Sequence, residues 1–253
     1  MSASRHAQSL IKGLAYRCGF SLRRLRSASR LEVANDNSGR IRPLLHRTDP
    51  YEGFDPNAWP DDASGWGSDS PAFGELIEEL RPKRLIEVGT WKGGSALTLA
   101  GHLERLNLNA EILCVDTWLG ALEMWTDLDD ADRHGSLNLK HGYPTLFYTF
   151  LGNVVRAGHQ QRITPFPVPS VTAAQWCALH GIKADMIYID GSHEEEDVYQ
   201  DLVSWWDLVR DGGVLFGDDW TWDGVRLAVQ RFASENALTI RHRHDKWELG
   251  KKS

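Results

Sequence analysis

Two periods of apolar spacing run through this chain. Five short runs read as buried strands: Leu85 to Gly89, Glu111 to Asp116, Arg162 to Phe166, Asp185 to Asp190 and Gly213 to Asp218. Between most of them the apolar positions recur at helical spacing. Upstream, Ser70-Pro71 marks a helix start, Phe73, Leu76, Ile77 and Leu80 supply its apolar face, and Arg81-Pro82 ends it. Strands that alternate with helices predict an α/β domain with a parallel sheet covered on both faces and right-handed connections. Ligands of such sheets sit at the carboxyl ends of the strands, so the residues at those ends carry the chemistry.

The first strand runs into a glycine-rich turn, Glu87-Val88-Gly89-Thr90-Trp91-Lys92-Gly93-Gly94-Ser95, and then a helix. Glycines let backbone approach a ligand, and the free N–H groups of the helix start point into the same space. Three residues separate Gly89 from Gly93, which is not the Gly-x-Gly-x-x-Gly spacing of a dinucleotide fold. Glu87 at the strand end would repel a pyrophosphate and attract a cation. The plain alternative is a tight turn with no ligand. Asp116 closes the second strand, where an acidic side chain is placed to accept hydrogen bonds from a ribose; Asp is also a common helix N-cap. The fourth strand ends in Asp190-Gly191-Ser192-His193 and the fifth in Asp218-Asp219. Three carboxylates and a histidine from neighbouring strands call for a cation, and oxygen donors suit Mg²⁺, Mn²⁺ or Ca²⁺.

The flanks add partners. Residues 1–31 hold seven basic residues and no acidic one, with Leu10, Leu14, Cys18, Leu22 and Leu25 at helical spacing. This predicts a basic amphipathic segment suited to an anionic membrane surface or a partner, or else a poorly ordered or loosely docked tail; its acid-poor, Arg- and Ser-rich composition also resembles a mitochondrial presequence. Removing its seven charges from the net −7 leaves −14 for residues 32–253, which excludes a basic nucleic-acid-binding surface. Residues 32–69, rich in Asn, Asp, Pro, Gly and Ser, read as an arm whose Tyr51, Phe54, Trp59 and Trp66 pack it on the main domain, residues 70–253. An insertion around 120–146 reads as a lid, with Trp125, His134 and Tyr143 as candidate acceptor contacts and Trp220 as a further aromatic at a strand end. Trp205 and Trp206 fall in a helix, which points to burial in a core or in a homo-oligomer interface. Cys18, Cys114 and Cys177 cannot all pair and read as reduced thiols. With no membrane span and no apolar signal-peptide core, a cytoplasmic location is expected, residues 1–31 touching the inner face of a membrane.

Taken together, Glu87-Val88-Gly89-x-x-x-Gly93-Gly94-Ser95, Asp116, Asp190-Gly191-Ser192-His193 and Gly212-Gly213 to Asp218-Asp219 resemble class I S-adenosylmethionine-dependent methyltransferases. More narrowly they are similar to metal-dependent O-methyltransferases, of the catechol type and of bacterial sugar-modifying types, over residues 66 to 240. The resemblance implies a doubly wound, mostly parallel, Rossmann-like sheet of seven strands with helices on both faces. It implies that Glu87, Gly89, Trp91, Gly93 and Ser95 line the methionine and ribose end of the cofactor, that Asp116 holds the ribose, and that Thr117 and Trp118 lie near the adenine. Asp190, Asp218 and Asp219 would bind the divalent ion, most simply Mg²⁺. His193 stands three residues beyond the first of these, where the catechol enzymes carry a lysine base, which leaves His193 or Asp190 to take the proton. The acceptor expected is a hydroxyl of a sugar, glycoconjugate or other small vicinal diol, with a catechol or phenol as the alternative. Two other classes stay open on the residues: a catalytically silent cofactor- or partner-binding domain, and oxidative chemistry on the same scaffold.

Overall fold

In the computed structural model, which describes residues 40–252, strand β1 (Arg84–Val88) is the axis of the molecule. All five of its residues are buried, as an apolar run in a sheet covered on both faces requires. It pairs in parallel with β2 (Glu111–Asp116) on one side and β4 (Ala184–Ile189) on the other. Strand β3 (Ile163–Pro167) extends the sheet beyond β2, and β5 (Val209–Gly217) extends it beyond β4. A terminal hairpin, β6 (Ile240–Arg243) and β7 (Lys246–Gly250), adds antiparallel through β7, completing seven strands in the order β3-β2-β1-β4-β5-β7-β6.

Helices α1 (Ile41–Leu45), α2 (Pro71–Leu80), α3 (Gly94–Arg105), α4 (Glu123–Thr126), α5 (Leu146–Arg156), α6 (Ser170–Leu179), α7 (Glu195–Trp205) and α8 (Asp223–Glu235) follow in chain order. Helices α2, α3 and α5 bury Phe73, Leu99 and Phe150 against one face of the sheet; α6, α7 and α8 bury Cys177, Leu202 and Val229 against the other. Ser70 caps α2 by accepting from the Ala72 amide, and Arg81 ends it in the left-handed region, as the Ser-Pro start and Arg-Pro stop predict. Trp205 is fully buried inside the domain, so core packing and not an interface accounts for it.

The hairpin did not announce itself in the pattern. Arg241, His242, Arg243, His244, Asp245 and Lys246 form a charged run, and only tertiary partners make it a strand pair: Arg243 reaches Glu75 and Glu79 on α2 and Glu248 on β7, and Trp247 is wholly buried. The arm packs as its aromatics predict. Tyr51 donates to the Ile163 carbonyl at 3.1 Å, and Trp59 stacks on Tyr148 at 4.4 Å. The stripe from Leu10 to Leu25 and the rest of residues 1–31 lie outside the described residues. No helix among the described residues is long and apolar enough to cross a membrane.

Because β1 leads by one route to β2 and its other neighbour is β4, the strand order reverses between β1 and β4, and a crevice opens at their carboxyl ends. Gly89 fixes the geometry there. Its φ is +82°, its N–H donates to the Val115 carbonyl, and a Cβ would lie 2.2 Å from the Asp190 carbonyl oxygen. The clash is with backbone, so Gly89→Ala should destabilise the fold by more than about 2 kcal/mol, read as a lowered urea midpoint with an unchanged slope.

Candidate active site

A cavity of about 800 Å³ fills the crevice at the strand ends. At one end its wall is the β1–α3 turn with Gly89, Trp91 and Ser95, together with Asp116 and Thr117 after β2. At the other end are Asp190, His193, Asp218, Asp219 and Trp222. The lid contributes Leu122, Glu123, Met124 and Arg133, and the arm contributes Trp66, stacked on Trp91 at 4.8 Å.

Asp116 is engaged by three backbone amides: Oδ2 accepts from Thr90 and Trp91 at 2.9 and 2.8 Å, and Oδ1 from Trp118 at 2.7 Å. These bonds tie the glycine turn to the end of β2 and orient the carboxylate at the cavity wall; Oδ2 is satisfied by its two amides, and Oδ1 keeps a further lone pair. Thr117 also lines the cavity.

Three expected cofactor contacts lie elsewhere. Trp118 is buried against Phe147 and Phe150, and its indole donates to the Trp91 carbonyl at 2.8 Å, so it supports the turn from below and cannot flank an adenine. Gly93, at φ +90°, is packed against Phe150 and starts α3 without reaching the cavity. Glu87 is completely buried beneath the turn, where its carboxyl accepts from the Ser95 hydroxyl and, more weakly, from the Cys114 thiol at 3.6 Å. Lys92, which a helix start would leave solvated, is instead buried and paired with Asp62 of the arm at 2.6 Å.

At the far end, His193 is held from three sides. Its Nε2 lies 2.9 Å from Asp219, its Nδ1 lies 3.3 Å from Glu123 of the lid, and its ring stacks on Trp222 at 4.3 Å. The hydrogen bond to Asp219, reinforced by the charges of Asp219 and Glu123, raises its pKa against the opposing effect of burial. Asp219 itself has φ +59°, a conformation unfavourable for a residue with a Cβ, and the 219–222 turn that imposes it aims the carboxylate at His193.

Burial and the neighbouring carboxylates Asp218 and Asp219 drive the Asp190 carboxyl well above its ordinary range. Tyr188 places its hydroxyl 3.1 Å from Asp190 and 3.4 Å from Asp218. Asp218 also accepts from Lys246 Nζ at 2.6 Å. The sequence reading missed Tyr188, Lys246 and Glu123. Tyr188 looks like one more core residue of β4, and the other two lie in segments whose placement no periodicity reveals.

The expected trio of metal ligands is thus brought together but divided among other partners: Asp218 with Lys246, Asp219 with His193, Asp190 with Tyr188. Among the described residues no group of three or more acid, histidine or cysteine side chains is arranged to hold an ion. With the buried Lys246 ammonium already on Asp218, this donor set does not fit a divalent cation. The expected acceptor contacts also shift. Trp125 donates to the Leu119 carbonyl and packs edge-on against His134, whose own Nδ1 faces the Met124 carbonyl. Tyr143 is 67 % exposed in a turn paired with Lys140, and Trp220 packs on His242. None of the four lines the cavity, which is lined instead by Trp66, Trp222, Glu123 and Arg133.

A methyltransferase-domain family model matches residues 86–220, so the chain belongs to that family. Its sheet is the class I S-adenosylmethionine-dependent methyltransferase fold. Among solved structures, the O-methyltransferase NovP superposes with a TM-score of 0.52 at 18 % identity, covering 83 % of this chain and 91 % of NovP. CalS11, a calicheamicin methyltransferase, superposes with a TM-score of 0.50 at 19 % identity, covering 82 % of each chain. A protein of Sinorhizobium fredii, y4gI, is 27 % identical over 155 residues; the match takes in 60 % of this chain and only 14 % of that relative's length.

Burial is the first cause of the Glu87 shift: it pushes the carboxyl up to about 8, helped by the charge of Asp116 and opposed by the hydrogen bonds from Ser95 and Cys114. In the unfolded chain the group ionises near pH 4.3. Stability carried by the neutral acid is therefore complete below about pH 4 and is lost as pH rises through about 8. Urea unfolding across that range should show stability falling with pH, and Glu87→Gln should flatten the fall.

Proposed function

We propose that the chain transfers the methyl group of S-adenosylmethionine to a hydroxyl oxygen of a polar acceptor, a sugar or glycoconjugate in the first place. The observation that carries this reading is one continuous cavity with a nucleoside-type end, at the glycine turn and Asp116, and a proton-accepting end at His193 and Asp219.

The sulfonium methyl is already activated, so catalysis consists mainly of aligning an oxygen behind it and removing the hydroxyl proton. As the C–O bond forms the C–S bond breaks, and neutral S-adenosylhomocysteine leaves. His193 is the group suited to the proton. With Nε2–H donated to Asp219, its Nδ1 can accept once the acceptor hydroxyl takes the place of Glu123. Asp219 then holds the ring in one tautomer and stabilises the imidazolium that forms. Trp222, half-exposed beside His193, offers a flat apolar face to a sugar ring. Glu87 acts at a distance: a cation bound at the turn favours its ionised form, and it keeps Ser95 oriented.

Calorimetry with S-adenosylhomocysteine tests the first half of the reading: binding is expected, weakened in Asp116→Ala, and no binding at all would defeat it. For the second half, a screen of glycans and phenols with methyl-labelled cofactor should show transfer to hydroxyls. On whichever acceptor is found, His193→Ala should lower kcat by about 100- to 10 000-fold with little change in cofactor affinity.

A further inference from the structure

We propose that Lys246 is the resident cation of this site, neutralising Asp218 from within the protein so that the carboxylate cluster at the strand ends needs no metal ion. The inference deepens the proposed function by assigning the electrostatics of the same cavity, and its measurement does not depend on methyl transfer.

The placement follows from the sheet. In the antiparallel ladder of β5 and β7, Gly217 faces Trp247, and one step further along brings Asp218 beside Lys246. Trp247 locks that register: its ring fills the space above Gly217, where a Cβ would lie 2.3 Å away, and its indole donates to the Asp218 carbonyl at 2.8 Å. The Lys246 side chain is 0 % exposed. Its ammonium has three protons and three acceptors: Asp218 Oδ2 at 2.6 Å, Asp245 Oδ2 at 2.7 Å and the Gly67 carbonyl at 3.2 Å. Burial works against the charged form, and the two aspartates outweigh it, leaving the lysine more basic than usual.

The arm closes the arrangement. Gly67 sits at φ +61°, and a Cβ there would come within 2.5 Å of Asp218 Oδ2 and 2.8 Å of Lys246 Nζ, so only a glycine lets the backbone cover the pair. A divalent ion on Asp218 would have to displace an ammonium that is satisfied on all sides and shut off from water, or face its charge at close range. Lys246 does not line the cavity; Asp218 does, so the lysine acts through it as a positioning residue. Burial raises the Asp218 carboxyl above its ordinary range and the lysine opposes that rise, so Lys246 favours the carboxylate against which Tyr188 and Asp190 are set.

A bond that merely pins the hairpin would give the same contacts, and ion binding separates the two roles. Full-length protein freed of metal with chelator is titrated with Mn²⁺ and followed by the electron paramagnetic resonance signal of the free ion, beside calorimetry with S-adenosylhomocysteine. The wild type should leave the Mn²⁺ signal unchanged, and its S-adenosylhomocysteine affinity should agree within about twofold with and without Mg²⁺. Lys246→Met, of similar length and no charge, should take up Mn²⁺ at least about tenfold more tightly than the wild type, and Lys246→Met with Asp218→Asn should lose that uptake. Mn²⁺ bound by the wild type and released by Asp218→Asn would overturn the proposal, as would a folded Lys246→Met that takes up none. Should Lys246→Met fail to fold, the wild-type titration still decides the point. Absence of S-adenosylhomocysteine binding with Mn²⁺ left free would defeat the proposed function and leave the assignment of Lys246 standing.

Discussion

The constraint on which this structure depends is negative charge gathered in a crevice where the carboxylates are at most partly exposed to water. Glu87, Asp116, Asp190, Asp218 and Asp219 all converge on the carboxyl ends of four adjacent strands, and a carboxylate there costs several kcal/mol unless it is neutralised, paired or hydrogen-bonded. Each has a different solution. Glu87 stays protonated, Asp116 takes three amides, Asp218 takes an ammonium, Asp219 takes an imidazole, and Asp190 is raised beside a tyrosine hydroxyl. The elements that look peripheral in the chain exist in large part to deliver these partners.

The terminal hairpin and the arm show this most directly. The hairpin brings Lys246 and Trp247 to the end of β5, and the arm brings Gly67 over the ion pair and Asp62 to Lys92. Neither segment has the apolar rhythm of a core element. Both are held by partners far away in sequence, and without them the site would have the same carboxylates and a different charge balance. The lid acts in the same way through a single side chain, Glu123, which faces the nitrogen of His193 that an acceptor hydroxyl would need.

Much of the fold was legible before any coordinates. Runs such as Leu85 to Gly89 are buried on both faces, and that environment selects the same apolar residues wherever they occur, so the helix after Ser70-Pro71 and four of the five parallel strands could be read almost to their ends, while β5 begins at Val209, before the Gly213 at which its apolar run starts. The glycine turn, Asp116 and the aspartates after β4 and β5 were legible for a related reason, since ligands of such sheets gather at strand ends. Aromatic residues were not legible in this way. Trp118 and Trp222 both follow strands, yet one is buried under the turn and the other stands beside His193, because a positive φ at Trp118 turns its ring into the core.

The sequence by itself determined which residues sit at the ends of the strands, because strand burial and strand length are properties of local pattern. It determined, too, that the crevice would be acidic. What balances that acidity was decided only by the tertiary structure. Lys246 lies twenty-eight residues from Asp218 and His193 twenty-six from Asp219, and no spacing rule spans such gaps. The pairing of a carboxylate with an ammonium, an imidazole or a divalent ion depends on which distant segment the sheet register and the arm bring within about 3 Å, and that is settled by packing.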